Sequence, residues 1–204
     1  SQTILRVGEP LSSFWGFERL GTWSTDEADE AAEIGAIPGE AKRSAERRII
    51  GNGLPKWSGS FINNLYYKNF DLTVDIQFVA GVDILQQFFH STHDRSGFAN
   101  GLTDVLYEAW TEENQNTMVQ QIRNGPYSGN NSEVDSHWVA DGAYIRGNLI
   151  SLGYSFDAVQ IGKTEINKLR VYGNVQNAFL INSDEFKGYD PEASSWEGNQ
   201  WGQN

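Results

Sequence analysis

Residues 71–82 read DLTVDIQFVAGV, with Leu72, Val74, Ile76, Phe78, Ala80 and Val82 at even positions and Asp71, Thr73, Asp75 and Gln77 at odd ones. An extended chain turns alternate side chains to opposite faces, so this pattern predicts a strand with one apolar and one wet, acidic side. Residues 13–23, 59–67, 144–156 and 169–180 also read as strands. In two of them the alternation recurs. Ile150, Leu152, Tyr154 and Phe156 oppose Ser151, Gly153 and Ser155, and Leu169, Val171, Val175 and Phe179 oppose Arg170, Asn174 and Gln176. A period of two repeated over three segments predicts half-apolar strands, and it leaves open whether the apolar side meets a protein core or lipid.

The connections differ in length. Only Lys68, Asn69, Phe70 and Asp71 separate Tyr67 from Leu72, which predicts a tight hairpin turn. Roughly 60 residues separate Val82 from Tyr144, against a usual loop of about 4–6. Short turns at one rim and long loops at the other are the habit of outer-membrane barrels, whereas a soluble sandwich has no reason to sort its loops this way. Tyr66, Tyr67 and Phe70 bracket the short turn, and Tyr154 and Phe156 end a strand arriving at the same rim. That placement suits a bilayer-interface girdle, although aromatics are common in any strand.

Two short helices are expected on the long connections. Ser24-Thr25-Asp26-Glu27 is a capping-box sequence before a helix over 28–34, with Gly35 as its stop. Thr103 caps a second helix in which Leu106, Ala109 and Trp110 recur at helical spacing.

Composition narrows the function. The 204 residues suit one soluble domain or a piece of something larger, and Ser at position 1 suggests a missing N-terminal portion. A net charge of −12 argues against nucleic acid and against an anionic membrane surface as partners. The absence of cysteine excludes disulfides and thiolate metal sites. No apolar run approaches the ~18–20 residues of a spanning helix, which a membrane barrel does not need.

His90-Ser91-Thr92-His93-Asp94, with His137 elsewhere, holds metal-ligand residue types, but as a loop without helical register it reads as solvated. Asp71 and Asp75 share a face roughly 13 Å apart, too far for a glycosidase pair. No nucleophile–histidine arrangement or phosphate-cradling loop is present, so no catalytic residue, metal site or cofactor is assigned.

The chain resembles the C-terminal part of SusC/RagA-type TonB-dependent outer-membrane receptors. The resemblance is carried in order by VGEPLSSFWGF (7–17), GTWSTDEA (21–28), IPGE (37–40), IIGNGLPKWSGSFINNLYYKNFDL (49–72), WTEEN (110–114), DGAYIRGNLISLGYSF (141–156), LRVYGNVQNAFLI (169–181) and KGYDPE (187–192). The chain departs from the family at Glu40, where Asp is usual, and after WTEEN, where a proline-arginine pair is expected. The resemblance implies a mainly β chain, an antiparallel up-and-down transmembrane β-barrel segment of about five strands from a barrel of roughly 22. These strands form an open curved sheet with long loops carrying short helices. Residues 1–204 are then an internal piece lacking the plug domain and the final strand.

It implies import of oligosaccharides or peptides across the cell outer membrane of a Bacteroidetes-like bacterium, and no enzyme activity. The partners implied are a SusD-type lipoprotein, the TonB complex acting through the missing plug, and outer-membrane lipid. Asp71, Thr73, Asp75, Gln77, Arg170, Asn174 and Gln176 would face the lumen, lining a solute path or bonding to the plug. Trp110 and Trp138 in the long loop, and Trp196 and Trp201 in the tail, would stack on ligand, meet a partner or order the loops. The alternatives are a secreted β-sandwich binding glycans through exposed tryptophans, and a soluble glycosidase.

Overall fold

The alternating segment is one strand of an antiparallel sheet. The computed structural model describes residues 2–94, 100–123 and 133–193. In chain order the strands are β1 (Thr3–Ile4), β2 (Ser13–Gly16), β3 (Arg19–Thr22), β4 (Ala41–Arg43), β5 (Arg48–Asn52), β6 (Trp57–Tyr67), β7 (Phe70–Ala80), β8 (Asp83–Leu85), β9 (Val139–Asp141), β10 (Tyr144–Ile161) and β11 (Thr164–Asn182). The helices are α1 (Ala28–Glu33), α2 (Phe89–Thr92) and α3 (Thr103–Glu108). The described chain divides into two compact units, one built from Pro55–Gly81 and Gly142–Ser183, the other from the remainder.

The first unit is a four-stranded sheet in the order β11-β10-β7-β6, every neighbouring pair antiparallel. Lys68 and Asn69 alone join β6 to β7, because Tyr67 already pairs with Phe70. Gly162 and Lys163 join β10 to β11, with Ile161 opposite Thr164 and Gly162 at φ +62°, a conformation that favours glycine in two-residue hairpins. Tyr154 pairs with Phe70, so both tight turns lie at one end of the sheet and the chain enters and leaves at the other. A bulge between Gly147 and Leu149 interrupts β10, and Asn177 on the facing strand takes φ +50°, which asparagine tolerates.

Two expectations need correction. Residues 13–23 do not add a strand to this sheet; they split into β2 and β3, which pair with β1, β5 and β4 in the other unit. The split falls at Phe17, whose backbone bonds to Val134 and Ser136 instead of to a sheet neighbour. The last hairpin is also longer than expected. Residues 157–168 carry Asp157, Lys163, Glu165 and Lys168 and little apolar alternation, so their extended form had no hydrophobic signature to read.

The second unit is loop-rich and has its own core of Phe14, Leu85, Phe89, Val134 and Trp138. Helix α1 forms as the capping sequence predicts: the Ser24 N–H donates to the Glu27 carboxylate at 3.1 Å, and Gly35 at φ +74° ends it. In α3 the inward residues are Val105 and Ala109, whereas Leu106 is exposed, and Leu102 rather than Thr103 occupies the capping position. Gly16 lies tight against the neighbouring segment. A Cβ there would overlap the Val134 carbonyl oxygen and come within 2.8 Å of Ile50 Cδ1. Backbone atoms cannot swing aside as a side chain can, so Gly16→Ala should cost about 1–3 kcal/mol. Faster hydrogen exchange at the Phe17 and Ser136 amides would record the loss, and unchanged exchange would refute it.

Candidate functional site

Cross-strand register sorts the sheet into two faces. Asp71 lies opposite Gly153 and then Tyr172, Thr73 opposite Ser151 and Asn174, and Asp75 opposite Leu149 and Gln176. Gln77 and Arg170 share that parity, so all seven residues named from the sequence as lumen candidates fall on one face, together with the apolar Ile62 and Leu149. Arg170 forks onto Asp71 across the intervening strand, with Nε donating to Oδ1 at 3.0 Å and Nη2 to Oδ2 at 2.5 Å. Gly153 makes the bridge possible, since a Cβ would stand 2.6 Å from both partners. Gln77 receives the Asn148 amide at 3.1 Å, and Thr73 donates to Asn64 at 2.8 Å. Asp75 Oδ1 is shielded and has no hydrogen-bond partner among the described residues.

The opposite face joins Phe61 and Leu65 of β6, Phe70, Leu72, Val74, Ile76 and Phe78 of β7, Ile145, Ile150, Leu152, Tyr154 and Phe156 of β10, and Val171, Val175, Phe179 and Ile181 of β11. It is not sealed: Phe61, Leu152 and Val175 are 59, 52 and 56% exposed. Phe70, Tyr154 and Phe156 stack edge-to-face at one end of this face, their successive centroids 4.6 Å apart, and Trp57 stands at the other end. Tyr66 is not part of this aromatic group, because it neighbours Tyr67 and therefore points to the polar side.

In the loop-rich unit a buried ion cluster ties distant segments together. Arg19 Nη1 and Nη2 donate to Asp94 at 3.1 and 2.6 Å, and Nε donates to Asp135 Oδ2 at 2.8 Å. Arg43 Nε reaches the same Asp135 oxygen at 2.6 Å. Gln120 and the Trp138 indole N–H donate to Asp94 at 2.8 and 2.5 Å. Burial alone would raise the Asp94 pKa, but the Arg19 charge and these donors outweigh it and hold the carboxyl well below the usual range. Burial would likewise lower Arg19, and the two carboxylates instead keep it firmly cationic. Two arginines and two aspartates balance in charge, so the cluster is a structural clasp with no free acid or base to offer chemistry.

These positions change how the sequence candidates are read. His90-Ser91-Thr92-His93-Asp94 is not a solvated loop; it forms α2 and the buried residues after it, because Asp94 answers the Arg19 charge. Trp138 is 2% exposed and Trp110 5%, which fits the ordering of loops among the three roles considered for them. Trp196 and Trp201 lie outside the described residues. Arg19 and Asp135 escaped the sequence reading, and the only signal was a lone arginine inside the aromatic run SFWGFERLGTW. Trp110 also lines a cleft of about 510 Å³ with Leu106, Tyr107, Asn114, Gln121 and Ile122, and its indole N–H has no partner among the described residues. No set of three His, Asp or Glu side chains is arranged to hold a metal among the described residues.

Comparison with known proteins supplies the class that the geometry alone does not. TonB-dependent receptor P3 of Formosa agariphila is 32% identical over 204 residues, covering 94% of this chain and 19% of the receptor. TonB-dependent receptor SusC of Bacteroides thetaiotaomicron is 29% identical over 136 residues, covering 65% of this chain and 12% of that one. The RagAB peptide importer in its open-open state superimposes with a TM-score of 0.68 at 22% identity, covering 100% of this chain and 21% of that chain. A second structure, of the RagAB peptide transporter, gives 0.70 over 95% of this chain. No family model matches. The chain belongs to the TonB-dependent receptors. It spans about a fifth of the length of the receptor P3 that it matches.

Proposed function

We propose that the chain is a wall segment and loop assembly of an outer-membrane, TonB-dependent nutrient importer, not an enzyme. The carrying observation is the exposed apolar face shared by β6, β7, β10 and β11, with aromatics at both ends. Along β6, the ten steps from Trp57 to Tyr67 span about 33 Å, or about 25 Å along the bilayer normal at a tilt of ~40°. That height matches the apolar band of an outer-membrane barrel. The tight turns at Lys68 and Gly162 then face the periplasm, and the excursion from Val82 to Asp141 lies outside the cell.

The face bearing Asp71, Thr73, Asp75, Gln77, Arg170, Asn174 and Gln176 lines the lumen, and the partnerless Asp75 oxygen supports a contact there with a plug domain. The open edges of β6 and β11 require further strands to close a barrel, since lipid cannot satisfy free backbone groups. By kinship with SusC and RagAB, the cargo is oligosaccharide or peptide, and a SusD-type lipoprotein and the TonB complex are the partners. The competing glycan-binding sandwich would need a second layer over the apolar face, which the described residues leave exposed.

The chain has no cysteine, so Val74→Cys and Thr73→Cys each place a single thiol in it. With a fluorophore on that thiol in the full-length receptor in bilayers, a lipid-borne quencher should dim the Val74 site several-fold more than the Thr73 site. Equal quenching at the two positions rules out a lipid-facing side.

A further inference from the structure

His93 and His137 meet inside the loop-rich unit in a way the clasp does not require. His93 Nδ1 lies 3.0 Å from His137 Nε2, and the ring centroids are 5.3 Å apart. The excess of the second distance over the first is the sum of the two ring radii, so the nitrogens face each other head-on along the line of centres. One proton fits on that line. A metal does not, because it needs lone pairs converging on a point about 2.0–2.1 Å from each nitrogen, off the line. Asp104 Oδ1, on α3, stands 3.3 Å from His93 Nε2 and favours the proton there, leaving Nδ1 to accept from His137.

Burial disfavours charge on either ring. Phe89 stacks on His93 at 4.0 Å, and the His93 side chain is almost completely buried. Arg19 on β3, Asp104 and Glu108 on α3, and Asp184, Glu185 and Lys187 after β11 line the cavity of about 500 Å³ that both rings share. Asp94 follows α2 and Asp135 precedes His137, but both are committed to Arg19, so their negative charge is already answered. Asp135 also accepts the His137 backbone N–H at 3.0 Å, which fixes the turn carrying the ring.

We propose that the His93–His137 pair is an acid-sensitive latch: when both rings are protonated, two N–H groups point at each other, the rings part, and His93, paired with Asp104, shifts α3 with it. Helix α3 supplies Leu106 and Tyr107 to the cleft beside Trp110, so opening the latch remodels that cleft. Burial first and the Arg19 charge second push the His137 pKa down to about 4, and burial lowers His93 as well. A folded pKa below the unfolded value of about 6.5 means the stabilisation is complete above that pH and is lost as pH falls from there towards 4. The latch rests on the geometry of this unit and would stand if the import reading failed.

Hydrogen exchange on the full-length receptor in detergent tests it, at about pH 7.5 and about pH 4.5 after correction for intrinsic rates. The His93, Val105 and Ala109 amides should lose protection by at least about tenfold in the wild type at the lower pH. H137Q keeps an N–H donor facing His93 but cannot become charged, and should hold its protection within about threefold. Every carboxylate survives in H137Q, so an equal loss in the variant overturns the latch, as does unchanged protection in the wild type. If H137Q lacks protection already at neutral pH, imidazole NMR of the wild type decides. Both rings should titrate below the ordinary histidine value, and titration at that value overturns the latch.

Discussion

Asp94→Ala is expected to unfold the loop-rich unit under conditions where the wild type stays intact, at a cost of about 3–5 kcal/mol. Asp94 is fully buried and answers three groups at once: the Arg19 guanidinium, the Gln120 amide and the Trp138 indole. Removing it leaves Arg19 buried with Asp135, which Arg43 already shares, so one positive charge and several donors are left uncompensated. Each stranded donor adds about 1–3 kcal/mol, and the charge adds more. Asp94→Asn separates these contributions: it keeps an oxygen acceptor and loses the charge, and should recover only part of the stability. Limited proteolysis of the full receptor reads both variants, and a loss under about 1 kcal/mol for Asp94→Ala would refute the clasp. The acid response is separate from that of the histidine pair. A carboxyl held below its ordinary value stabilises above the usual carboxylate range and loses that stabilisation as pH falls below it, so the clasp fails after the latch on acidification.

Ile76→Arg should cost about 2–4 kcal/mol and deplete the assembled receptor from the outer membrane, while Thr73→Arg leaves assembly near the wild-type level. Ile76 lies between Phe61 on β6 and Gly147 on β10, midway along the apolar face. Phe179 caps Gly147 from β11, since a Cβ there would sit 2.6 Å from its ring. An arginine at Ile76 has no carboxylate beside it on that face and would have to thin the bilayer or snorkel about half its thickness. Thr73 lies on the face that already holds Asp71, Asp75 and Arg170, where a guanidinium finds water or acid. Heat-modifiable mobility of membrane-extracted protein measures assembly, and comparable depletion by both substitutions would end the lipid-facing reading.

The parts legible in the sequence are those with a period. Residues 71–80 and 150–156 alternate because successive side chains of each strand meet two different environments, and the matching parity carried Asp71, Thr73, Asp75 and Gln77 to one face. The capping box before α1 was legible because its hydrogen bonds close within four residues. The family was legible because its motifs are local strings, and the receptor relatives agree with it. Residues 157–168 were not legible, because their strands carry no sustained apolar stripe. Tyr66 was misassigned by proximity to Tyr67, although neighbouring strand residues point to opposite sides.

By itself, then, the sequence determined the alternating strand segments, their two-sided character, the short turn after Tyr67 and the kinship, all of which follow from interactions between residues a few positions apart. Tertiary structure alone decided that residues 13–23 leave the sheet, that Arg19 meets Asp94 and Asp135 from opposite ends of the loop region, and that His93 faces His137 nitrogen to nitrogen. The reason is physical: a buried charge accepts any complementary charge that the fold brings within hydrogen-bond reach. Its partner therefore has no fixed sequence separation, and no periodicity announces it.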